Sequence, residues 1–191
     1  MEKHNVSILM PCRNEEKFIE ETIRSIYAQN YEGGEIELVV IDGKSDDNTL
    51  EILSELTKEF PTINVVDNPA RTTPQAMNIG LRAAKYELIL RIDAHAKILP
   101  GFIEKSVLNV MSDDKIMCAG GRVKKIFHNE LSEVIGLAMA STFGAGNATY
   151  RVGGEKKFVD TILFGIYKKK VFKENIVPKW LEAASKREAN Y

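Results

Sequence analysis

The hydrophobic positions of the chain follow two alternating patterns, and this alternation is the first guide to its fold. Short, mostly aliphatic runs are typical of strands that are buried on both faces of a parallel sheet. Between these runs, apolar residues recur every three or four positions, which is typical of amphipathic helices. The pattern predicts strands over residues 6–10, 36–41, 63–66, 88–92 and 116–123, with a helix between each consecutive pair.

Prolines and capping residues indicate where these elements should begin and end. Pro11 should end the first strand, because proline cannot donate a hydrogen bond to a central ladder. Asn14 is predicted to cap the first helix, since its side chain can accept a hydrogen bond from the first turn. Asp46 or Asp47 should begin the second helix, and Pro74 is expected at the first position of the third.

The order of these elements defines the expected architecture. Strands that alternate with helices of this length indicate an α/β fold with a mostly parallel sheet and helices on both faces. After residue 123 the alternation weakens, and we predict a helix over 131–139, a strand over 158–167 and a short basic helix over 168–175. We expect one domain overall, divided into residues 1–123, residues 124–175 and a tail over residues 176–191.

The distribution of charge adds more to this picture than the overall composition does. The formal net charge is -1. Residues 1–121 carry 13 Lys and Arg against 20 Asp and Glu, whereas residues 122–191 carry 13 against 7. The basic C-terminal third could face phosphates or a membrane surface, and it could equally be a solvated lysine-rich face.

Cysteine content and hydropathy bear on the compartment. Cys12 and Cys118 are too few for a disulfide scaffold, so reduced thiols are expected. The N-terminus does not resemble a signal peptide. The longest apolar run in the C-terminal third, residues 134–140, is shorter than the roughly 20 residues that a membrane-spanning helix needs. These features predict a cytoplasmic protein, which could still associate peripherally with the inner face of the membrane.

Polar residues follow three of the predicted strands and indicate a ligand site. The segments are Pro11–Glu15, Asp42–Asp47 and Asp93–His95. In an open α/β sheet, ligands bind beyond the carboxyl ends of the strands. Residues i and i+2 of an extended chain point the same way, so Asp93 and His95 could reach one cation. Their oxygen and nitrogen donors suit Mn²⁺, or Mg²⁺ with help from phosphates.

Four segments of the chain stand out together by their order and spacing. They are residues 6–16 (VSILMPCRNEE), 40–49 (VIDGKSDDNT), 76–80 (AMNIG) and 91–95 (RIDAH). Together they resemble glycosyltransferase family 2, the inverting nucleotide-sugar transferases with a GT-A fold. The resemblance covers roughly residues 5–175, and the last segment stands where the family has its Asp-x-Asp metal motif.

The resemblance implies a nucleotide-sugar donor site in the first half of the chain. The loop that would wall the nucleotide contains Pro11, Arg13, Asn14 and Glu15. Asp42 would accept a hydrogen bond from the base, with the imide N–H of uracil as the favoured donor. Residues 1–123 would therefore bind the donor, and residues 124–175 would lie on the acceptor side.

The same resemblance implies how the sugar phosphates are held. Arg71 would lie in the loop over the nucleotide, with Asn78 close to it. Asp93 would contact the ribose and a divalent cation, Mn²⁺ or Mg²⁺. His95 would complete the link from that cation to the diphosphate, and metal binding should weaken when the imidazole becomes protonated at mildly acidic pH.

The sequence departs from the family pattern in two places. His95 replaces the second Asp of the metal motif, which lowers the negative charge of the site. The family normally has a later Glu-Asp pair whose Asp is the general base, and no such pair follows residues 164–172, which resemble the segment just before it. Asp160 is the nearest acidic candidate and the fallback for the base, but it does not match the family's base position, and a structural role is favoured for it.

These observations favour a metal-dependent, inverting glycosyltransferase that uses a nucleotide sugar, with a UDP-sugar favoured. The expected acceptor is a sugar or a lipid-linked hydroxyl in the synthesis of a cell-surface or exported polysaccharide. The alternative is a nucleotide-sugar-binding subunit or fragment that lacks the general base and is catalytically impaired.

Other nucleotide-binding classes receive little support from the sequence. A dinucleotide dehydrogenase needs glycines directly after its first strand, where this chain has Pro-Cys-Arg-Asn-Glu. A Walker-type phosphate loop is also absent from the sequence. Nucleic-acid binding is not expected, because acidic residues concentrate at the predicted site.

Overall fold

The computed structural model describes residues 3–121, 162 and 164–172 of the chain. Four helices and five strands alternate over residues 3–121, as the hydrophobic pattern predicts, and a sixth strand lies near residue 165. A short 3-10 helix, Lys169–Val171, follows the last strand. The elements are β1 (Val6–Cys12), α1 (Ile19–Tyr27), β2 (Ile36–Asp42), α2 (Thr49–Glu59), β3 (Ile63–Asp67), α3 (Thr73–Ala83), β4 (Leu88–Arg91), α4 (Phe102–Met111), β5 (Cys118–Gly120) and β6 (Gly165–Lys168).

The six strands form one sheet in the order β3-β2-β1-β4-β6-β5. β1 pairs in parallel with β2 on one side and with β4 on the other, and β2 pairs in parallel with β3. β6 pairs antiparallel with both β4 and β5. The predicted α/β class with a mostly parallel sheet is confirmed, and its central strand is β1.

Helices cover both faces of the sheet, which is also as predicted. Alternate residues of β1 point to opposite faces, so Ile8 and Leu9 belong to two different apolar clusters. The first cluster lies under α1, α2 and α4, and α1 contributes Ile19, Ile23 and Ile26 at helical spacing. The second cluster lies under α3. Within the described residues, no helix has the length and apolarity to cross a membrane.

The prediction that Pro11 ends the first strand is wrong. β1 continues through Pro11 to Cys12, and Pro11 pairs with Ile41 of β2. Pro11 lies two residues after Leu9, so the backbone groups of both residues face β4. The Leu9 carbonyl accepts a hydrogen bond from the Ile92 N–H on that side. The ladder with β4 ends at Leu9, so the missing N–H of Pro11 lies where no partner strand needs a donor.

Three predicted helix starts are also corrected. The second helix begins at Thr49, after Asp46 and Asp47, and the Asp47 carboxylate accepts a hydrogen bond from the Thr49 N–H. The first helix begins at Ile19, five residues after Asn14, so Asn14 is not its cap. Asn14 has a left-handed backbone, with a φ of 56°, which asparagine tolerates better than most residues. The third helix begins at Thr73, which places Pro74 at its second position. The N–H groups of the first helical turn have no carbonyl partner within the helix, so proline loses no hydrogen bond there.

The C-terminal elements differ from the sequence prediction where the structure describes them. β5 is only three residues long, and β6 ends at Lys168 instead of Tyr167. A 3-10 turn replaces the first part of the predicted basic helix. The predicted helix over 131–139, most of residues 124–175 and the tail over 176–191 lie outside the described residues.

Candidate functional site

The carboxyl ends of β2, β1 and β4 meet at one edge of the sheet and open into a cavity of about 310 Å³. The three strands are parallel neighbours, so the residues that follow them emerge on the same side. The prediction that these three polar segments lie together is confirmed. Six of the predicted site residues line the cavity: Pro11, Arg13, Glu15, Arg71, Asp93 and His95.

Residues 93–96 form a turn after the end of β4, in which the Ala96 N–H donates a hydrogen bond of 3.0 Å to the Asp93 carbonyl. Ala94 is buried and belongs to the core cluster, and Asp93 and His95 on either side of it line the cavity. The segment is anchored from α1, because the Thr22 hydroxyl donates a hydrogen bond of 2.8 Å to the Ala94 carbonyl. The two side chains therefore face the same space, as the sequence predicts.

Arg91 belongs to this site, although the sequence analysis did not single it out. Its guanidinium donates a hydrogen bond of 2.7 Å to Asp93, and both side chains are about a quarter exposed. Its Nε is buried without a hydrogen-bond partner among the described residues. Arg91 ends β4 two residues before Asp93, and both side chains line the cavity, so the signal was present in this spacing of two.

His95 contacts a residue that lies 80 positions away in the sequence. Its Nδ1 is 2.9 Å from a carboxylate oxygen of Glu15. Glu15 is held in place by its own backbone N–H, which donates a hydrogen bond of 2.8 Å to the buried Thr49 hydroxyl at the start of α2. The loop between β1 and α1 therefore contacts the loop between β4 and α4 across the cavity, through Glu15 and His95.

Asp42 lines a second cavity of about 490 Å³ beside the first, and Arg71 lines both. Asp42 is buried at the end of β2 and accepts hydrogen bonds from the backbone N–H and the hydroxyl of Ser45. A carboxylate has about four lone-pair positions, so these contacts leave capacity for a ligand donor. Lys44 and Asp67 form an ion pair of 2.9 Å in the same cavity.

Asn14 joins two loops at this edge of the sheet. Its carboxamide donates to a carboxylate oxygen of Asp46 at 2.6 Å and accepts from the Asp46 N–H at 2.9 Å. Its backbone N–H donates to the Ser45 hydroxyl at 3.0 Å. These contacts fix the β1–α1 loop to the β2–α2 loop, and they explain the choice of asparagine better than helix capping does.

The loop between β3 and α3 contributes Asn68 and Arg71 to the first cavity. Asn68 is buried, and it donates hydrogen bonds to the Asp42 carbonyl from its backbone and to the Thr72 carbonyl from its side chain. Arg71 has a left-handed backbone with a φ of 58°, and its side chain is exposed. Asn68 was not identified from the sequence, because its contacts depend on the tertiary structure.

One predicted site residue lies away from both cavities, and another falls in the part of the chain that the structure does not describe. Asn78 is in the middle of α3, partly buried, and within the described structure it lines neither cavity. Its Oδ1 is buried and has no hydrogen-bond partner in the same part of the chain. Asp160, the fallback general base, lies outside the described residues.

Cys12 lines the first cavity, and its environment argues against a nucleophilic role. Burial raises the pKa of the Cys12 thiol far above its ordinary value, and the nearby carboxylate of Asp42 raises it further. The thiolate is the reactive form of cysteine, and this pocket disfavours it. Cys12 is therefore a neutral, inert part of the cavity wall.

The residues present fit a cation that is shared with a bound diphosphate. In the described part of the chain, no group of three or more His, Cys, Asp or Glu side chains could hold a metal ion alone. A Mg²⁺ or Mn²⁺ ion in a phosphate site often takes only one or two protein ligands and completes its shell from phosphates and water. Asp93 and His95 provide that number of donors at one cavity.

The fold and this site together define the class of the protein. A central β1 with parallel neighbours, helices on both faces and a polar cavity at the strand carboxyl ends is an α/β domain of the GT-A type. The chain belongs to glycosyltransferase family 2: the model of the family described as "Glycosyl transferase family 2" matches residues 7–176.

Known relatives agree with this assignment. The chain is 30% identical over 176 residues to a dolichyl N-acetyl-alpha-D-glucosaminyl phosphate 3-beta-D-2,3-diacetamido-2,3-dideoxy-beta-D-glucuronosyltransferase of Methanococcus voltae, covering 89% of this chain and 54% of that protein. It spans about half, or less, of the length of the first curated relatives that it matches.

Solved structures share the fold at low sequence identity. Residues 1–349 of S. aureus TarS in complex with UDP are similar with a TM-score of 0.66 and 18% identity, over 95% of this chain and 52% of that one. The mannosyltransferase PcManGT from Pyrobaculum calidifontis, in complex with GDP-Man and Mn²⁺, is similar with a TM-score of 0.62 and 21% identity, over 91% and 46%.

Proposed function

We propose that this protein transfers a sugar from a nucleotide-sugar donor, with a UDP-sugar favoured, to an acceptor hydroxyl. The observation that carries the proposal is the meeting of Glu15, Arg91, Asp93 and His95 at one cavity, beside the cavity that contains Asp42. The two adjoining cavities offer one space for a base and another for phosphates. TarS in complex with UDP and PcManGT in complex with GDP-Man support a nucleotide-sugar ligand for this fold.

The base would lie against the second cavity. Asp42 would accept a hydrogen bond from the imide N–H of uracil, using carboxylate capacity that Ser45 does not occupy. Arg71 borders both cavities and is exposed, so its guanidinium can reach over a bound nucleotide. Pro11 and Arg13 would form the wall between base and phosphates.

The diphosphate would lie in the first cavity. Asp93 would contact the ribose and hold a divalent cation together with His95, and Mn²⁺ suits their mixed oxygen and nitrogen donors. When bound, the cation would neutralise charge that develops on the leaving nucleoside diphosphate. Asn14 would position the two loops that it joins. Asn78 would have a structural role within α3 instead of contacting the nucleotide.

The transfer itself would be a single displacement with inversion at the anomeric carbon. An acceptor hydroxyl would attack in line, and a general base would take its proton. Asp160 remains the fallback for that base.

The acceptor would be a sugar or a lipid-linked group in the synthesis of a cell-surface or exported polysaccharide. The basic C-terminal third of the chain would then contact an anionic surface.

The proposal is tested by comparing the wild type with Asp93→Asn and with Asp114→Asn as a matched control. Asp114 is fully exposed in the turn after α4, and its carboxylate makes only a loose ion pair with Lys168, at 3.7 Å. Turnover of UDP-, GDP- and CMP-sugars would be measured with Mn²⁺ and with Mg²⁺. We expect UDP-sugar turnover to fall roughly 100-fold or more in Asp93→Asn, because several kcal/mol of charge stabilisation are lost.

The control should keep the wild-type rate. Equal turnover in Asp93→Asn and the wild type would contradict the role of Asp93. Metal-dependent binding of UDP by the wild type, with no transfer to any acceptor tested, would instead favour the nucleotide-sugar-binding subunit.

A further inference from the structure

The contact between Glu15 and His95 has a chemical consequence for the cation site. The two atoms, Glu15 Oε1 and His95 Nδ1, are 2.9 Å apart, which is within hydrogen-bond distance. An ionised carboxylate can only accept a hydrogen bond. The proton of this contact therefore lies on Nδ1 of the imidazole.

The position of that proton determines what the other ring nitrogen can do. A neutral imidazole has one N–H donor and one nitrogen with a free lone pair. If Nδ1 carries the proton, Nε2 carries the lone pair and is the nitrogen that can bind a cation. Metal-binding histidines commonly have such a carboxylate behind them, which fixes the ring and increases its basicity.

The geometry of Glu15 distinguishes this contact from an incidental surface ion pair. The Glu15 side chain is 19% exposed, whereas that of His95 is 57% exposed. The carbonyl of Glu15 accepts hydrogen bonds from Phe18 and Ile19 at the start of α1, and its N–H is held by Thr49. The acceptor is thus fixed on the scaffold, and the exposed ring turns toward it.

We propose that Glu15 is a positioning residue, which holds His95 as the Nδ1–H tautomer and presents Nε2 to the cavity as a cation ligand. This inference rests on the proposed function for the identity of the cation. It gives Glu15 a role beyond walling the nucleotide site. It also gives a physical reason for a histidine at this position, because a second aspartate there would repel Glu15.

The tautomer can be measured directly by long-range ¹H–¹⁵N NMR of the ¹⁵N-labelled full chain, at an alkaline pH where the ring is neutral. The chain has only three histidines, so a His95→Gln spectrum assigns the signal. We expect the wild type to show His95 as the Nδ1–H tautomer. In Glu15→Ala the ring should shift toward the Nε2–H tautomer that exposed imidazoles favour.

Glu16→Ala is the matched control. Glu16 is the adjacent carboxylate, and it accepts hydrogen bonds from Asn48 instead of His95. This variant should keep the Nδ1–H tautomer. A wild-type ring in the Nε2–H form would overturn the proposal. This measurement uses only the wild type, so it does not depend on whether a variant folds. An identical tautomer in wild type and Glu15→Ala would overturn it too.

A second measurement separates this inference from the proposed function. Mn²⁺ affinity in the presence of UDP would be measured by calorimetry, and Glu15→Ala should weaken it by about 10- to 100-fold. A changed tautomer with unchanged Mn²⁺ affinity would overturn the cation role of His95 and leave the positioning by Glu15 in place. If the wild type binds UDP without any Mn²⁺ dependence, the metal part of the proposed function fails, whatever the tautomer.

Discussion

Three carboxylates near the two cavities have different partners. Asp93 is paired with Arg91, Glu15 contacts His95, and the buried Asp42 is hydrogen-bonded within its own turn. The positive charge of Arg91 offsets the negative charge of Asp93, which reduces the repulsion that an unpaired carboxylate would exert on a diphosphate. Residue types alone suggest an acidic site, whereas the pairing makes it compatible with an anionic ligand.

A prediction at this scale concerns Cys118 in β5. Burial raises the pKa of its thiol to about 11, against an ordinary value of 9.0. At pH 8 the thiolate fraction should therefore be about 100-fold smaller than for an ordinary cysteine. We expect iodoacetamide to modify Cys118 correspondingly slowly in the native protein, as followed by mass spectrometry.

The pH dependence of this reaction has a definite sign. The folded state disfavours the thiolate, so its contribution to stability is full below pH 9.0 and is lost as the pH rises to about 11. Alkylation should accelerate over the same range. Urea-unfolded protein is the control and should react at the ordinary rate, and a native rate at pH 8 equal to the unfolded rate would contradict the prediction.

At the scale of elements, α3 lies unusually close to the sheet that carries the site. Gly80 is buried on the inner face of α3, and a Cβ built there would lie 3.0 Å from the Ile41 side chain and 3.2 Å from that of Leu9. The helix can approach β1 and β2 this closely because glycine has no side chain. Its N-terminus, next to Arg71, is thereby held at the edge of the cavity.

Gly80→Val should accordingly destabilise the fold. The added methyl groups would overlap Ile41 and Leu9, and overpacking of this kind costs about 1–3 kcal/mol. The free energy of unfolding would be measured by urea denaturation. Arg82→Val, an exposed substitution in the same helix, is the control for helix propensity and should cost well under 1 kcal/mol. Equal losses in the two variants would argue against close packing of α3.

At the scale of the whole molecule, the two cavities lie side by side at the carboxyl ends of the parallel strands, between loops that are joined to each other. The β1–α1 and β2–α2 loops are linked through Asn14, and the β1–α1 and β4 loops are linked through Glu15. A ligand that spans both cavities would therefore contact three strand ends at once. Binding of such a ligand to the folded state should therefore increase the free energy of unfolding of the whole domain.

We expect UDP together with Mn²⁺ to raise the melting temperature. A ligand at 100 times its Kd stabilises by about 2.7 kcal/mol, which corresponds to roughly 5–10 °C for a domain of this size. A thermal-shift assay with UDP, Mn²⁺ and both would measure it. NAD and ATP are the controls and should give no comparable shift; a shift with NAD alone would indicate a dinucleotide site instead.

The order of the sheet was only partly predictable. The sequence placed five strands and four helices in the right order, because continuous apolar runs indicate strands that are buried on both faces and the 3.6-residue period indicates the buried face of each helix. It could not place β6 between β4 and β5, since that pairing joins residues 45–80 positions apart along the chain. The prediction that Pro11 ends β1 failed for the same reason: only the neighbouring strand decides whether an N–H is needed.

The sequence by itself determined the α/β class, the family and the polar segments that follow β1, β2 and β4, because each of these follows from short-range pattern. Only the tertiary structure decided that Glu15 lies behind His95, that Arg91 is paired with Asp93 and that Asn14 joins two loops. Such contacts depend on where separate loops meet in space. The geometry of the site is therefore set by long-range packing of the strands, whereas its residue types are already present in the motifs.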